Sequence, residues 1–272
     1  MNVLLPVDFS DNSRRAIDYA VAAFGSTETY FYLFHVYSLP HGTSKTIFVS
    51  IKDELKEDAE KSMTKELAYV KEKYPRMHFS GLTVYGHFID DCNSFIDREG
   101  IDVAVMGTKG ASGLEEILIG SNASEAVQNL TVPVMTVPSE CALTSPDKAV
   151  LAIDYLDLEE NTINQLNGLM QQFGVQNLYV VHIKDPEDET ELNREHAETQ
   201  LKNSLQGVDF SFHIKENKDV EEGIKEFREE VGGELVVVIN PVKGLWGRLF
   251  KTAHSKKLAM HTNIPLLVLH EK

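Results

Sequence analysis

Three glycines and a hydroxyl residue stand in a set pattern: Gly107-Thr-Lys-Gly110, nine residues, then Gly120-Ser121. The run before them, Ile101-Asp-Val-Ala-Val-Met106, reads as a buried strand. Glycines after a strand let a ligand approach the backbone closely, and free N–H groups at the start of the next helix can hold phosphate. In this reading Gly107 and Gly110 supply positive φ and leave room for a sugar and its phosphate. Gly120 opens a helix whose Ser121 and Asn122 N–H groups point toward an anion, helped by the helix dipole. The Ser121 hydroxyl adds a charge-assisted hydrogen bond worth roughly 1.5–3 kcal/mol, or acts as a simple N-cap; the two roles are compatible. Lys109 either pairs with the phosphates or is a solvated loop lysine. The chemistry that suits this constellation is nucleotide binding.

A second candidate closes the first strand, where the apolar run Val3-Leu-Leu-Pro-Val-Asp8 ends on a carboxylate. In an open α/β sheet ligands bind beyond the C-terminal strand ends, where the strand order reverses. A crevice between the first and fourth strands would therefore gather Asp8 and Gly107. A carboxylate there accepts hydrogen bonds from ribose hydroxyls or an adenine amino group; the alternative for Asp8 is a turn or cap ahead of the first helix. His35 and His182, on equivalent strands, read as satisfied core groups rather than metal ligands, and the other histidines lack ligand spacing.

The elements that must position these groups occur twice. Val3–Asp8 matches Val150–Asp154, Phe31–Val36 matches Leu178–Ile183, Asp102–Met106 matches Glu234–Ile239, and Val132–Val137 matches Ile264–Leu269. The offset is 146 or 147 residues early and 132 late, so the second copy has lost material in its middle. Such self-similarity marks an internal duplication. Helical patterns alternate with the strands. Ala16, Ile17, Ala20 and Val21 share one face, with Ser10 or Ser13 as cap. Asp53 to Lys73 is a charged helix with Leu55, Ala59, Met63, Leu67 and Val70 as its buried stripe and its charge run as a solvated face. Further helices span Asp90 to Glu99, ended by Gly100, and Ser121 to Leu130. Near-continuous apolar strands alternating with helices predict parallel sheets covered on both faces. The expected division is residues 1–140 and 147–272, with Ser139–Asp147 as linker, where Pro138 and Pro146 break both patterns.

Composition narrows the function classes. The 272 residues carry a net charge of −16, shared evenly: 12 Lys/Arg against 20 Asp/Glu in residues 1–142, 14 against 22 in the remainder. A surface this acidic repels nucleic acid and anionic membrane. Two cysteines, Cys92 and Cys141, without CxxC spacing support neither a zinc site nor a disulfide scaffold. The N-terminus lacks a signal-peptide pattern, and no run approaches the roughly 20 apolar residues of a membrane helix. A cytoplasmic location is the expectation.

With G-x2-G-x9-G-[ST] after a fourth strand and Asp8 ending the first, the chain resembles the ATP-binding universal stress protein family. The resemblance extends over essentially the whole chain as two tandem domains, with the fingerprint only in the first. It implies an α/β fold of two doubly wound domains, each a five-stranded parallel sheet of order 3-2-1-4-5 with helices on both faces. It implies ATP or a related adenine nucleotide (ADP or AMP) in domain one. Asp8 and the backbone at Val36 would hold the adenine–ribose end, and Met106 and Gly107 would line the ribose. Gly110, Gly120, Ser121 and Asn122 would receive the phosphates, with any Mg²⁺ held mainly by phosphate oxygens. The family also implies pairing of the last strands of two domains, here Val134–Val137 with Leu266–Leu269.

Domain two departs from the pattern. Counted back from Pro265, the places of Gly120 and Ser121 hold Thr252 and Ala253, and the first glycine becomes Asn240 or Ile239. Gly244 and Gly247 form a displaced GxxG, so this domain is not expected to bind ATP in the same manner. Its Lys243–Lys257 segment carries Lys243, Arg248, Lys251, Lys256, Lys257 and His254, no acidic residue, and an interleaved Leu245, Trp246, Leu249 and Phe250. It reads either as a lid helix with solvated lysines or as a site for an anionic ligand or acidic partner. The leading function is a nucleotide-binding stress or signalling protein that contacts other proteins. The alternatives are a slow ATP-hydrolysing or phosphotransfer enzyme, and the same fold with another nucleotide-like ligand. Only Asp8, Asp11 and Lys109 lie near the presumed site, and there is no Walker Gly-Lys-Ser or GxSxG. Dedicated catalysis is therefore the weaker expectation.

Overall fold

A computed structural model describes residues 1–39, 45–108, 120–153, 159–187, 194–240 and 264–270, as backbone alone at 45–51, 194–197 and 240. In the first half the strands are β1 (Asn2–Pro6), β2 (Tyr30–Tyr37), β3 (His78–Tyr85), β4 (Val103–Gly107) and β5 (Val134–Val137). In the second they are β6 (Lys148–Ala152), β7 (Asn177–Lys184), β8 (Asp209–Glu216), β9 (Leu235–Asn240) and β10 (Leu266–His270). The intervening helices are α1 (Asp11–Phe24), α2 (Lys45–Lys73), α3 (Phe88–Glu99), α4 (Ser121–Asn129), α5 (Glu160–Phe173), α6 (Arg194–Ser204) and α7 (Val220–Val231).

The apolar runs make one ten-stranded sheet, ordered β3-β2-β1-β4-β5-β10-β9-β6-β7-β8. Each half is parallel within itself and has the 3-2-1-4-5 order. The halves join where β5 meets β10 antiparallel, with Leu266 opposite Thr136 and Val268 opposite Val134. Antiparallel pairing of equivalent strands relates the halves by a half-turn in the plane of the sheet, so equivalent helices share a face and sheet and core run unbroken across the junction. One face buries Val3, Leu5, Leu33 and Phe24 together with Leu166, Phe173 and Val237. Across that face α1 meets α5, with the Phe24 and Phe173 rings 4.9 Å apart. The other face holds Leu4, Phe34, Phe95 and Val127 with Val181, Phe227 and Val236. Alternate side chains of each inner strand supply the two faces, which is why those strands read as continuous apolar runs, whereas the edge strands β3 and β8 are largely exposed.

Several boundaries differ from those expected. Ser10, rather than Ser13, caps α1 by accepting the Ser13 N–H. Helix α2 begins at Lys45, not Asp53, and α3 at Phe88, not Asp90; Phe88 and Ile89 pack against the core and extend the helix to meet it. Helix α4 stops at Asn129, with Leu130 as its cap. The charged face of α2 is not wholly solvated: Glu66 is buried, gripped by the Arg14 guanidinium through Nε (3.0 Å) and Nη2 (2.9 Å). Leu55, expected in the buried stripe, is only half-buried. The missing middle of the second copy lies between β7 and β8, where the 11-residue α6 stands in place of the 29-residue α2.

Candidate functional site

The strand order reverses at β1, whose neighbours are β2 on one side and β4 on the other. The chain runs outward to β3 in one direction and to β5 in the other, so the loops after β1 and β4 part and leave a crevice at the sheet's C-terminal edge. Asp8, Val36, Met106, Gly107, Gly120, Ser121 and Asn122 all line it. Lys109 and Gly110 lie outside the described residues. The crevice is also walled by Ser13, Phe34, His35 and Phe88, which the sequence reading did not select. Phe88 was legible in principle, because it opens the helix after the third strand and so belongs to the same sheet edge.

Helix α4 supplies the anion-seeking end. Its N-cap is Gly120, which has no side chain to accept a hydrogen bond, so Ser121 is the first helical residue and not the cap. The first N–H groups of a helix have no partner inside it, and among the described residues no cap side chain bonds to them. The Gly120 N–H donates to the Thr108 carbonyl (2.7 Å), and the Thr108 N–H donates to Val137 (3.1 Å). These two bonds tie the start of α4 to the end of β4 and aim the helix at the crevice.

Gly107 does not take the positive φ expected of it. Positive-φ glycines among the described residues are Gly100, Gly174, Gly207 and Gly232, and Gly107 is not one of them. A Cβ on Gly107 would instead lie 2.9 Å from the Asn12 carbonyl oxygen. The first turn of α1 lies against the end of β4, and that close approach demands glycine.

Asp8 faces the crevice from a tightly held turn. Its Oδ1 accepts the Ser10 N–H (3.1 Å) and the Ser10 hydroxyl (2.6 Å). The turn role for Asp8 is thus present, and it coexists with a place in the crevice wall. Phe9 adopts φ 62°, a left-handed conformation that costs a non-glycine residue on the order of 1–3 kcal/mol. Its ring rests on His35, centroids 4.5 Å apart. His35 Nδ1 sits 2.7 Å from the Val7 carbonyl oxygen, which can only accept, so Nδ1 carries the proton. His182 repeats the contact with Ile153 at 3.1 Å. Both histidines thereby pin the end of their half's first strand.

Among the described residues no three His, Cys, Asp or Glu side chains converge as a metal site. Cys92 and Cys141 are free and buried, and burial pushes the Cys92 thiol up to about 12. Neither is a nucleophile near neutral pH. No helix among the described residues is long and apolar enough to cross a membrane. In the second half, Asp154, Gly244, Gly247, Thr252, Ala253 and the Lys243–Lys257 segment lie outside the described residues.

Residues 1–138 match the Universal stress protein family. The chain belongs to that family. Universal stress protein YxiE of Bacillus subtilis is 28% identical over 143 residues, covering 50% of this chain and 97% of YxiE. Universal stress protein MJ0531 of Methanocaldococcus jannaschii is 28% identical over 141 residues, covering 50% of this chain and 80% of its own. The crystal structure of a universal stress protein from Archaeoglobus fulgidus superposes with a TM-score of 0.73 at 18% identity, over 99% of this chain and 96% of that one. The first two relatives span about one half of the tandem; the third shares the fold of both halves.

Proposed function

We propose that residues 1–140 form an adenine-nucleotide-binding domain, with ATP as the main ligand. Residues 147–272 would be a second domain of the same fold with a degenerate site. The observation that supports this most is that Asp8, the end of β4 and the side-chain-free cap of α4 line one crevice. A carboxylate suits the hydroxyls of a ribose or an amino group on the base, and a bare helix N-terminus suits phosphate. In this reading Asp8 and the Val36 backbone take the adenine–ribose end. Met106 and Gly107 border the sugar, and Gly110, Gly120, Ser121 and Asn122 meet the phosphates beside Lys109. A magnesium ion would be held through phosphate oxygens, since the described residues offer no cluster of its usual ligands. Ligand binding stabilises the bound form by mass action, about 2.7 kcal/mol at a hundredfold excess over Kd. Occupancy can therefore report nucleotide level to a protein partner, a stress-response role suited to the cytoplasm.

The test is mass spectrometry of small molecules released from freshly purified protein, followed by calorimetric titration of the stripped chain with ATP. The expected result is about one adenine nucleotide per chain, with binding lost in Gly120→Val while the melting temperature is kept. No released nucleotide and no heat on adding ATP would refute the reading.

A further inference from the structure

We propose that Ser10 is a positioning residue of this site: its hydroxyl holds the Asp8 carboxylate in the orientation that meets the ligand. The inference rests on the reading that Asp8 contacts the nucleotide.

A serine hydroxyl has one proton and two lone pairs. The Ser10 proton goes to Asp8 Oδ1 at 2.6 Å, a distance typical of a charge-assisted bond. The oxygen meanwhile accepts the Ser13 N–H at 3.2 Å as the cap of α1. Both ends of the hydroxyl are therefore engaged, so its direction is set by the helix on one side and imposed on the carboxylate on the other. The Ser10 N–H adds a second bond to the same carboxylate oxygen. This is more than capping needs, because Asp and Asn cap as well as Ser. Aspartate at this place could not donate to Asp8 and would repel it.

The backbone around the pair is over-determined in the same sense. Phe9, between the two residues, is the one non-glycine with positive φ among the described residues. Its ring packs on His35, which in turn pins Val7, the residue before Asp8. Strain of this kind persists only where surrounding contacts over-determine it, and it clusters at ligand sites. The second copy sharpens the point at the level of sequence. It keeps the aspartate, as Asp154, but has Leu156 where Ser10 stands. Leucine has no hydroxyl to hold a carboxylate.

A double-mutant cycle on the full chain tests the proposal, with titrations of ATP and of inorganic tripolyphosphate. Ser10→Ala is expected to weaken ATP about 10-fold, the scale of a lost charge-assisted bond. In an Asp8→Ala background the same change should have no further effect, and tripolyphosphate should bind all four proteins alike. Ser10→Thr should retain ATP affinity. An equal loss in both backgrounds, or a parallel loss of tripolyphosphate, would reduce Ser10 to a helix cap and overturn the inference. If Ser10→Ala does not fold, Ser10→Asp keeps the cap; it should weaken ATP at least as much, and wild-type affinity there would overturn the proposal. Asp8→Ala with unchanged ATP affinity would sink the site reading and this inference together. Loss in Asp8→Ala but none in Ser10→Ala would sink this inference alone.

Discussion

The two halves share a backbone plan and diverge where the strands end. At the C-terminal edge of the first half, Tyr37 of β2 stands opposite Tyr85 of β3, rings 5.7 Å apart, and Lys52 of α2 caps Tyr85 at 4.4 Å. The equivalent register in the second half pairs Lys184 with Glu216. Gly107, pressed against the Asn12 backbone, has Ile239 as its counterpart, which is itself buried. Ile89 of α3 has Glu221, an acid in a buried place. Residues inside the sheet answer to the same packing demand in both copies and stay alike. Those at the C-terminal strand ends and the helix starts that follow answer to whatever the edge must hold, and they have separated. A duplicated fold thus carries one set of structural constraints and two sets of chemical ones.

The comparison can be broken most sharply by placing the same charge at equivalent positions. Ser121→Glu should weaken ATP by about 100-fold or more, since like charges set against each other cost several kcal/mol. Ala253→Glu should leave ATP affinity as it was. Equal losses in a calorimetric titration would mean that both halves bind the nucleotide.

Next in size is the strand-end glycine. Gly107→Ala drives a methyl into the Asn12 carbonyl and should cost about 1–3 kcal/mol, the usual scale of overpacking. Its melting temperature should fall by several degrees, whereas Ile239→Ala should lose stability by leaving a cavity instead. A Gly107→Ala protein as stable as the wild type would show that α1 can move away from β4.

Glu221 gives a pH-dependent contrast of similar or smaller size. Burial, with a minor contribution from Asp219, raises its pKa to about 8 from the ordinary 4.5. The folded state therefore favours the protonated acid. This contribution to stability is complete below about pH 4.5, declines as pH rises toward about 8, and is gone above it. Glu221→Ile, which installs the first half's residue, should raise stability at pH 9 by about 1–3 kcal/mol, the scale of an unpartnered buried polar group. The gain should be clearly smaller at about pH 4, where the acid is buried uncharged. Urea midpoints at the two pH values decide it, and an equal gain at both would refute the titration.

The smallest effect belongs to Lys52. Its cation–π contact with Tyr85 is worth about 0.5–1 kcal/mol at an exposed site. Lys52→Ala should raise hydrogen exchange in the first turns of α2 and leave the rest of the chain unaltered. Uniform exchange across α2 in both proteins would show that the contact does not hold the helix.

Much of this architecture was legible before any coordinates. The repeated apolar runs named four strands in each half but not β3 and β8, edge strands too exposed to carry such a run. The shift in offset from 147 to 132 announced a shortening, which the structure locates at α6. Ser10 was visible as a cap candidate, and Asp8 as either a turn residue or a crevice residue. That it is both, and that Ser10 joins the two roles, depends on one hydroxyl's direction, which spacing does not encode. Glu66 looked like any acid on a charged helix. Only the arrival of Arg14, 52 positions away, makes its burial tolerable.

The sequence alone determines the duplication, the strand and helix types and the difference between the two fingerprints, because hydrophobic periodicity and glycine spacing are written locally along the chain. The resemblance implied the pairing of β5 with β10, and the structure decided its antiparallel register, with Leu266 opposite Thr136. It also decided that Gly107 yields space to α1 and that Asp8 is held by Ser10 over a strained Phe9. These depend on contacts of 2.6–2.9 Å between groups that meet only once the chain has folded.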